Sequence, residues 1–241
     1  MKLFNTTPGN NKSEIKVLLW IFVIVLGALI FTLIANAVSE GETNRFDLMI
    51  LESLRVQGNL HQPIGPEWIE LAMRDITSLG GGTVIVIITI VVVGFLLLQK
   101  NYNAMWLILI ATIGGALVGL GLKELMGRER PPVIFHLVYV NTLSFPSGHS
   151  MISAVVYLTQ AFLLSRIQKK KSIRVYIITV ALILTFLIGI SRIYLGVHYP
   201  TDVLAGWSIG FTWALLCWLV VWYLQERKAK AKPIKINNSN D

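Results

Sequence analysis

The sequence predicts an all-α fold, a polytopic membrane helix bundle of six transmembrane helices, and three observations carry that prediction. First, 54% of the 241 residues are hydrophobic and only 14% are charged, where a soluble chain carries roughly 25% charged residues. Mean hydropathy is +0.66. Second, the charged residues leave six long uncharged runs: 17–39, 76–99, 101–122, 131–165, 175–191 and 203–225. A hydrocarbon core about 30 Å thick takes roughly 20 residues of apolar helix, so each run holds one span, 175–191 at the short limit. Third, Lys and Arg fall unevenly on alternate flanks of these runs. One set of flanks holds 14 basic residues against three acids, and the other holds seven against ten. This composition excludes a soluble globular protein, a disordered chain and a nucleic-acid binder, and the net charge of +8 belongs to the flanks rather than to a nucleic-acid surface.

Taken in order, the first span covers 17–38. Ala35-Asn36-Ala37 has the small residues of a signal-peptide cleavage site, but the apolar run before it exceeds the usual length of about 7–15, so the span reads as uncleaved. The loop 39–82 follows. In it Pro66 opens a helix on which Ile69, Ala72, Met73 and Ile76 share one face, and Phe46, Met49, Ile50 and Leu54 form a weaker amphipathic segment. Each could lie at the headgroup boundary or pack on the bundle. Gly80-Gly81-Gly82 reads as a joint before the second span. The remaining spans are 83–99, 104–122, 148–165, 173–190 and 202–224. The lone Cys217 lies inside the last of them and excludes an intramolecular disulfide. Gly115-x3-Gly119 and Gly206-x3-Gly210 would let helices approach closely. The charge asymmetry places both termini in the cytoplasm and loops 39–82, 123–147 and 191–201 outside.

The remaining polar signals fall at span ends on that outer side. Lys123, Arg128 and Arg130 follow the third span; Pro146-Ser147-Gly148-His149 opens the fourth; Ser191-Arg192 closes the fifth; His198 and Asp202 stand at the start of the sixth. A single Lys or Arg at a span end is usually an interfacial anchor. Two His, an Asp and a Ser-Gly turn at the same depth fit that reading poorly. A helix start after Pro-Ser-Gly offers free N–H groups and a positive dipole end, a ready anion site, with His149 in its first turn. Pro200 suits the first position of a helix, leaving His198 just outside it and Asp202 in its first turn. A carboxylate on one imidazole nitrogen fixes the tautomer and raises nucleophilicity at the other; alternatively Asp202 serves only the helix dipole. Lys123, Arg130 and Arg192 supply cations, and a planar Arg fork matches phosphate oxygens. Together these make a phosphate site. No Asp, Glu, His or Cys set beyond the His–Asp pair has ligand-like spacing, so no metal is expected. Arg128, Glu124 and Glu129 read as structural or rim residues.

These residues resemble the signature of the type 2 phosphatidic acid phosphatase family of integral-membrane lipid phosphatases: K-x6-R-P, then P-S-G-H, then S-R-x5-H-x3-D. Here they are Lys123 to Arg130-Pro131, Pro146-Ser147-Gly148-His149, and Ser191-Arg192 to His198 to Asp202. The resemblance implies that His198 is the nucleophile forming a phosphohistidine, that Asp202 orients it, and that His149 is general acid and then base. It implies that Lys123, Arg130, Ser147, Gly148 and Arg192 bind the phosphate and that no metal or other cofactor takes part. Vanadium haloperoxidases share the site, but those relatives are soluble. The chain is then a single membrane domain: 1–82 the first span and outer loop, 83–225 the catalytic helix bundle, 226–241 a cytoplasmic tail. The expected partners are membrane lipids and a lipid phosphate, whether phosphatidate, phosphatidylglycerol phosphate or undecaprenyl diphosphate, met at the outer face of the cytoplasmic membrane. The alternatives are a transporter, which the clustering of charge at one face opposes, and a non-catalytic lipid-phosphate-binding protein, which the presence of both His opposes.

Overall fold

The structure is a computed structural model and describes residues 11–230. Eight helices follow one another: α1 (Asn11–Ser39), α2 (Asn44–Ser53), α3 (Glu67–Ser78), α4 (Gly82–Leu98), α5 (Tyr102–Met126), α6 (Gly148–Ile167), α7 (Lys171–Tyr194) and α8 (Pro200–Lys230). Val17–Ser39 of α1, the whole of α5, α6 and α7, and Pro200–Leu224 of α8 are each long and apolar enough to cross a membrane. The sixth crossing is a bent pair, α3 and α4 meeting at 47°. At 1.5 Å per residue α4 alone reaches about 25 Å, somewhat short of a typical core. The bend falls at Leu79-Gly80-Gly81, where the glycine joint was expected. The span ends otherwise agree with the charge pattern to within a few residues. Helix α8 continues to Lys230, into the expected tail; 231–241 and the N-terminal Lys2 lie outside the described residues.

The all-α class holds with one small addition. Between α2 and α3 a two-stranded antiparallel hairpin, β1 (Arg55–Val56) and β2 (Asn59–Pro63), turns through Gly58 at φ +82°. Strands this short carry no readable alternation. Both amphipathic segments of the 39–82 loop are helical, and both pack on the bundle. In α2, Asp47 and Leu51 are fully buried. In α3, Ile69, Ala72, Met73 and Ile76 are half-buried and Thr77 is buried, whereas Trp68 and Leu71 are left exposed. Leu51, Phe135, Ile193 and Val203 close one core cluster that joins α2, the α5–α6 connection, α7 and α8.

Helix α6 is the centre of the bundle, packed against α4, α5, α7 and α8, while α1 lies on α8 and α3 on α7. In lipid an outward Leu or Phe costs little, so helix association depends on close packing of small residues. Both expected glycine pairs serve that packing, and both face α6. A Cβ on Gly206 would stand 2.7 Å from the Ser147 carbonyl oxygen, and one on Gly210 2.6 Å from that of Met151. A Cβ on Gly119 would meet the Met151 sulfur at 3.1 Å. These contacts draw the first turns of α6 and α8 together at the end of the bundle where the polar residues collect.

Candidate active site

Three local signals set the helix ends that carry the site. Gly127, left-handed at φ +59°, ends α5 just beyond Lys123 and turns the chain toward Arg128 and Arg130. Ser147 caps α6: its hydroxyl accepts from the Ser150 N–H at 3.5 Å and from the Ser150 hydroxyl at 2.9 Å. Gly196, at φ +72°, lets the α7–α8 connection pass so close to the Phe135 carbonyl that any side chain would collide. This places His198 in a loop of Leu195–Tyr199 that is almost wholly buried.

His198 is 1% exposed and Asp202 0%. The imidazole Nδ1 lies 3.4 Å from Asp202 Oδ2 and 3.4 Å from the Ser144 hydroxyl, which itself donates to Asp202 Oδ2 at 2.5 Å. Asp202 Oδ2 also accepts the Tyr199 N–H at 2.9 Å. Ser144 therefore completes the His–Asp contact, a role with no sequence signal, since it precedes the Pro146-Ser147-Gly148-His149 string and lies 54 residues from His198. The other imidazole nitrogen, Nε2, faces Arg130 NH1 at 3.2 Å. With Nδ1–H directed at a carboxylate and Nε2 receiving a guanidinium N–H, the ring is arranged as a neutral base. Burial first, then the charges of Arg192, Arg130, Lys123 and His149, hold His198 well below its ordinary value.

The expected phosphate-binding residues converge on this ring. Arg130 is tied down by the carbonyls of Val197 (2.6 Å) and Thr142 and by the Thr142 hydroxyl (2.9 Å), and burial lowers its pKa. Lys123 is buried and donates to the Leu143 carbonyl; it lies alongside Gly148, whose Cβ would be 3.7 Å from the lysine Cε. Arg192, 4% exposed, donates through NH1 to the Thr77 hydroxyl of α3 at 2.9 Å. Its buried Nε meets no acceptor among the described residues. Ser147 and the start of α6 are locked to the other half of the site by the Ser147 N–H, which donates to the Asp202 carbonyl at 2.9 Å. His149 is half-buried in the first turn of α6, against the α3–α4 joint: a Cβ on Gly81 would lie 3.9 Å from its Nε2.

Two arginines outside the expected set are also buried around the site. Arg128, read from the sequence as structural or rim, has a side chain only 10% exposed and pairs with both Asp202 and Asp47; Glu124 and Glu129 beside it are exposed. Arg55 of β1 is 4% exposed and donates to the carbonyls of Phe135 (2.6 Å) and Tyr194 (3.1 Å), fastening the hairpin to the connection beneath the site. Among the described residues, no group of three or more His, Cys, Asp or Glu is placed to hold a metal ion.

Comparison with known proteins gives a consistent result. Residues 103–226 match the model of the PAP2 superfamily. Phosphatidylglycerophosphatase B of Bacillus subtilis is 35% identical over 197 residues, covering 80% of this chain and 87% of that one. The crystal structure of a transmembrane PAP2 type phosphatidylglycerolphosphate phosphatase from Bacillus subtilis superposes with a TM-score of 0.74 at 29% identity, over 89% of this chain and all of that one. An undecaprenyl-diphosphatase of Sulfolobus acidocaldarius is 32% identical over 93 residues, 36% of this chain and 41% of that protein.

Proposed function

The chain belongs to the PAP2 superfamily and is a multi-pass membrane lipid phosphatase, and from that premise we propose that it removes the terminal phosphate of phosphatidylglycerol phosphate through a phosphohistidine. The observation that carries the chemistry is the setting of His198: Nδ1 toward Asp202 and Ser144, Nε2 facing Arg130. Similarity to phosphatidylglycerophosphatase B along most of the chain supports the head group.

In this reading the phosphate enters between Arg130, Arg192, Lys123 and the first turn of α6. Arg130 moves off Nε2 onto a phosphate oxygen, and the buried Nε of Arg192 finds its acceptor there. His198 Nε2 attacks phosphorus; the bond from phosphorus to the lipid oxygen breaks as His149 gives that oxygen a proton. Asp202 holds the imidazole ring, which is cationic once phosphorylated. His149 then takes a proton from water, the oxygen attacks phosphorus, the N–P bond breaks, and inorganic phosphate leaves. The cations, the Gly148 N–H and the Ser147 hydroxyl balance charge that grows on the phosphoryl oxygens, where a buried, preorganised donor set is most effective. No step requires a metal.

The asymmetry of Lys and Arg supports both termini in the cytoplasm of an inner membrane, with the site on the outer side. The chain acts as one membrane domain in which 83–225 carries the catalytic groups. The loop within 1–82 contributes Asp47, Arg55 and Thr77 beneath them, and 226–241 forms the cytoplasmic end. A second substrate, a polyprenyl diphosphate, is favoured by the resemblance over 93 residues to an undecaprenyl-diphosphatase.

The test is phosphate release by purified protein in EDTA from phosphatidylglycerol phosphate, phosphatidate and undecaprenyl diphosphate, beside the His198→Ala variant. The expected result is release fastest from phosphatidylglycerol phosphate and lost in the variant. Preference for undecaprenyl diphosphate would replace the head-group assignment. Retention of more than about a hundredth of the parent rate by His198→Ala would sink the covalent mechanism, since losing a nucleophile usually costs far more.

A further inference from the structure

Beside Asp202 lies a buried ion pair that the signature leaves unassigned. Arg128 lies behind Asp202, away from the phosphate cations. Its NH1 donates to Asp202 Oδ1 at 2.6 Å and to the Thr201 hydroxyl at 2.9 Å. Its NH2 donates to Asp47 Oδ2 at 2.7 Å, and the guanidinium lies 4.2 Å from the centre of the Tyr199 ring. Asp47, from α2, is fully buried. It also accepts the Thr201 N–H at 3.1 Å and the Thr201 hydroxyl at 2.6 Å, and so caps the first turn of α8 from outside that helix. One guanidinium is thus held between two buried carboxylates that are 155 residues apart in sequence.

A buried ion chain is weak evidence for stability, because desolvation offsets most of the attraction. Apolar residues would fill the same space at no such cost. The placement of this chain suggests a different task. Asp202 Oδ2 is engaged by Ser144, the Tyr199 N–H and His198, while its Oδ1 has Arg128 as partner. Rotation of the carboxylate would move Oδ2 off the imidazole, and Arg128 blocks that rotation. Arg128 is in turn fixed by Asp47, which sits on a helix packed against the bundle rather than on the mobile end of a loop. Against burial, which opposes its charge, the attraction of Asp202 and Asp47 holds Arg128 more firmly protonated than a free arginine.

We propose that Arg128 and Asp47 are positioning residues for phosphoryl transfer, acting through Asp202 to hold the nucleophilic imidazole in line. The assignment rests on the reading of His198 and Asp202 given above. It makes the outer-loop helix α2 part of the catalytic apparatus, and it requires the shape of arginine as well as its charge. A lysine ammonium is a point charge and cannot bridge two carboxylates with the fixed spacing of a guanidinium.

The experiment measures kcat and KM for full-length protein in detergent with dioctanoyl phosphatidate, per folded molecule as judged by size-exclusion chromatography. It compares the parent with Arg128→Lys, Asp47→Asn, the double variant, and Asp202→Asn as reference. Asp202→Asn is expected to lower kcat by at least about 100-fold, as loss of an orienting carboxylate does in hydrolytic triads. Arg128→Lys should lower kcat by about 30-fold with KM within about threefold, because a small displacement of a reacting group is costly while the phosphate cradle is untouched. Asp47→Asn keeps Oδ1 for the Thr201 N–H but puts an NH2 donor where Oδ2 accepts Arg128, so its kcat should fall by about tenfold. The double variant should be no worse than Arg128→Lys alone, since groups that act as a unit are non-additive. A purely structural role would lower the folded yield and leave kcat per folded molecule within threefold of the parent, which overturns the inference when Asp202→Asn has lost its activity. Full activity in Asp202→Asn would instead overturn the site assignment and this inference with it. If Arg128→Lys does not fold, Asp47→Asn decides alone, and an unchanged kcat refutes.

Discussion

Gly206→Ala tests how strictly the junction of α6 and α8 sets the site. On propensity alone the change is favourable, since alanine in a helix interior is worth about 1 kcal/mol over glycine. The structure reverses the sign. The added Cβ would stand 2.7 Å from the Ser147 carbonyl oxygen, 3.0 Å from Ser150 Cβ and 3.2 Å from the Met151 nitrogen. Two of these three neighbours are backbone atoms and cannot rotate away. Relief requires the first turn of α6 to retreat from α8 by roughly half an ångström, and overpacking of this kind typically costs about 1–3 kcal/mol. The same retreat separates the two parts of the site, because Ser147, Gly148 and His149 ride on α6 and Asp202 rides on α8. A displacement of about 1 Å can cost about 100-fold in rate, so half of that corresponds to about tenfold in kcat. Thermal melting in detergent and steady-state phosphate release from dioctanoyl phosphatidate measure both effects. A variant that melts at or above the parent and turns over at the parent rate would refute the claim that this contact sets the spacing of the site.

Three further outcomes follow from the geometry. Thr77→Val removes the hydroxyl that receives Arg192 NH1; kcat/KM should fall by about tenfold, the usual worth of a hydrogen bond to a charged group, and a change under twofold would mean that Arg192 is held by other contacts. Because burial keeps the folded His198 well below its unfolded value near 6.5, the unfolded chain binds more protons at low pH. His198 therefore leaves stability intact above about pH 6.5 and lowers it as pH falls below that value, toward its folded pKa. Melting temperature should decline between pH 6.5 and 5 more steeply in the parent than in His198→Gln, and equal slopes would contradict a neutral buried imidazole. Lys169→Cys, in a chain whose other cysteine is buried, should react with an impermeant thiol reagent only after lysis; labelling in intact cells would put the active site inside.

The spans were legible because charge is excluded from lipid, so uncharged runs mark them directly, and even the Gly80-Gly81-Gly82 joint showed in the sequence as a bend. The ends of α5, α6, α7 and α8 were legible for the same reason, and with them the depth at which Lys123, His149, Arg192, His198 and Asp202 lie. What the sequence did not reveal is contact between distant segments. Ser144, Thr77, Arg55 and Asp47 have no motif spacing; the roles of the last three arise only when the 39–82 loop folds back on the bundle, and that of Ser144 when the α5–α6 connection meets the start of α8. Arg128 shows the limit most clearly. Beside Arg130 and Pro131 it reads as one more cation at a membrane edge, and its ion pairs with the buried carboxylates of Asp47 and Asp202, 81 and 74 residues away, distinguish it from a rim residue.

Covalent catalysis by His198 is tested by trapping the phosphohistidine. Protein is mixed with lipid carrying radiolabelled terminal phosphate, quenched in alkali within milliseconds, and analysed for label on the chain. A phosphohistidine intermediate puts label on the peptide containing His198, stable to alkali and lost in acid as a phosphoramidate is, and absent from His198→Ala. Rapid phosphate release with no label on the chain at any quench time, or label that survives in His198→Ala, would contradict it.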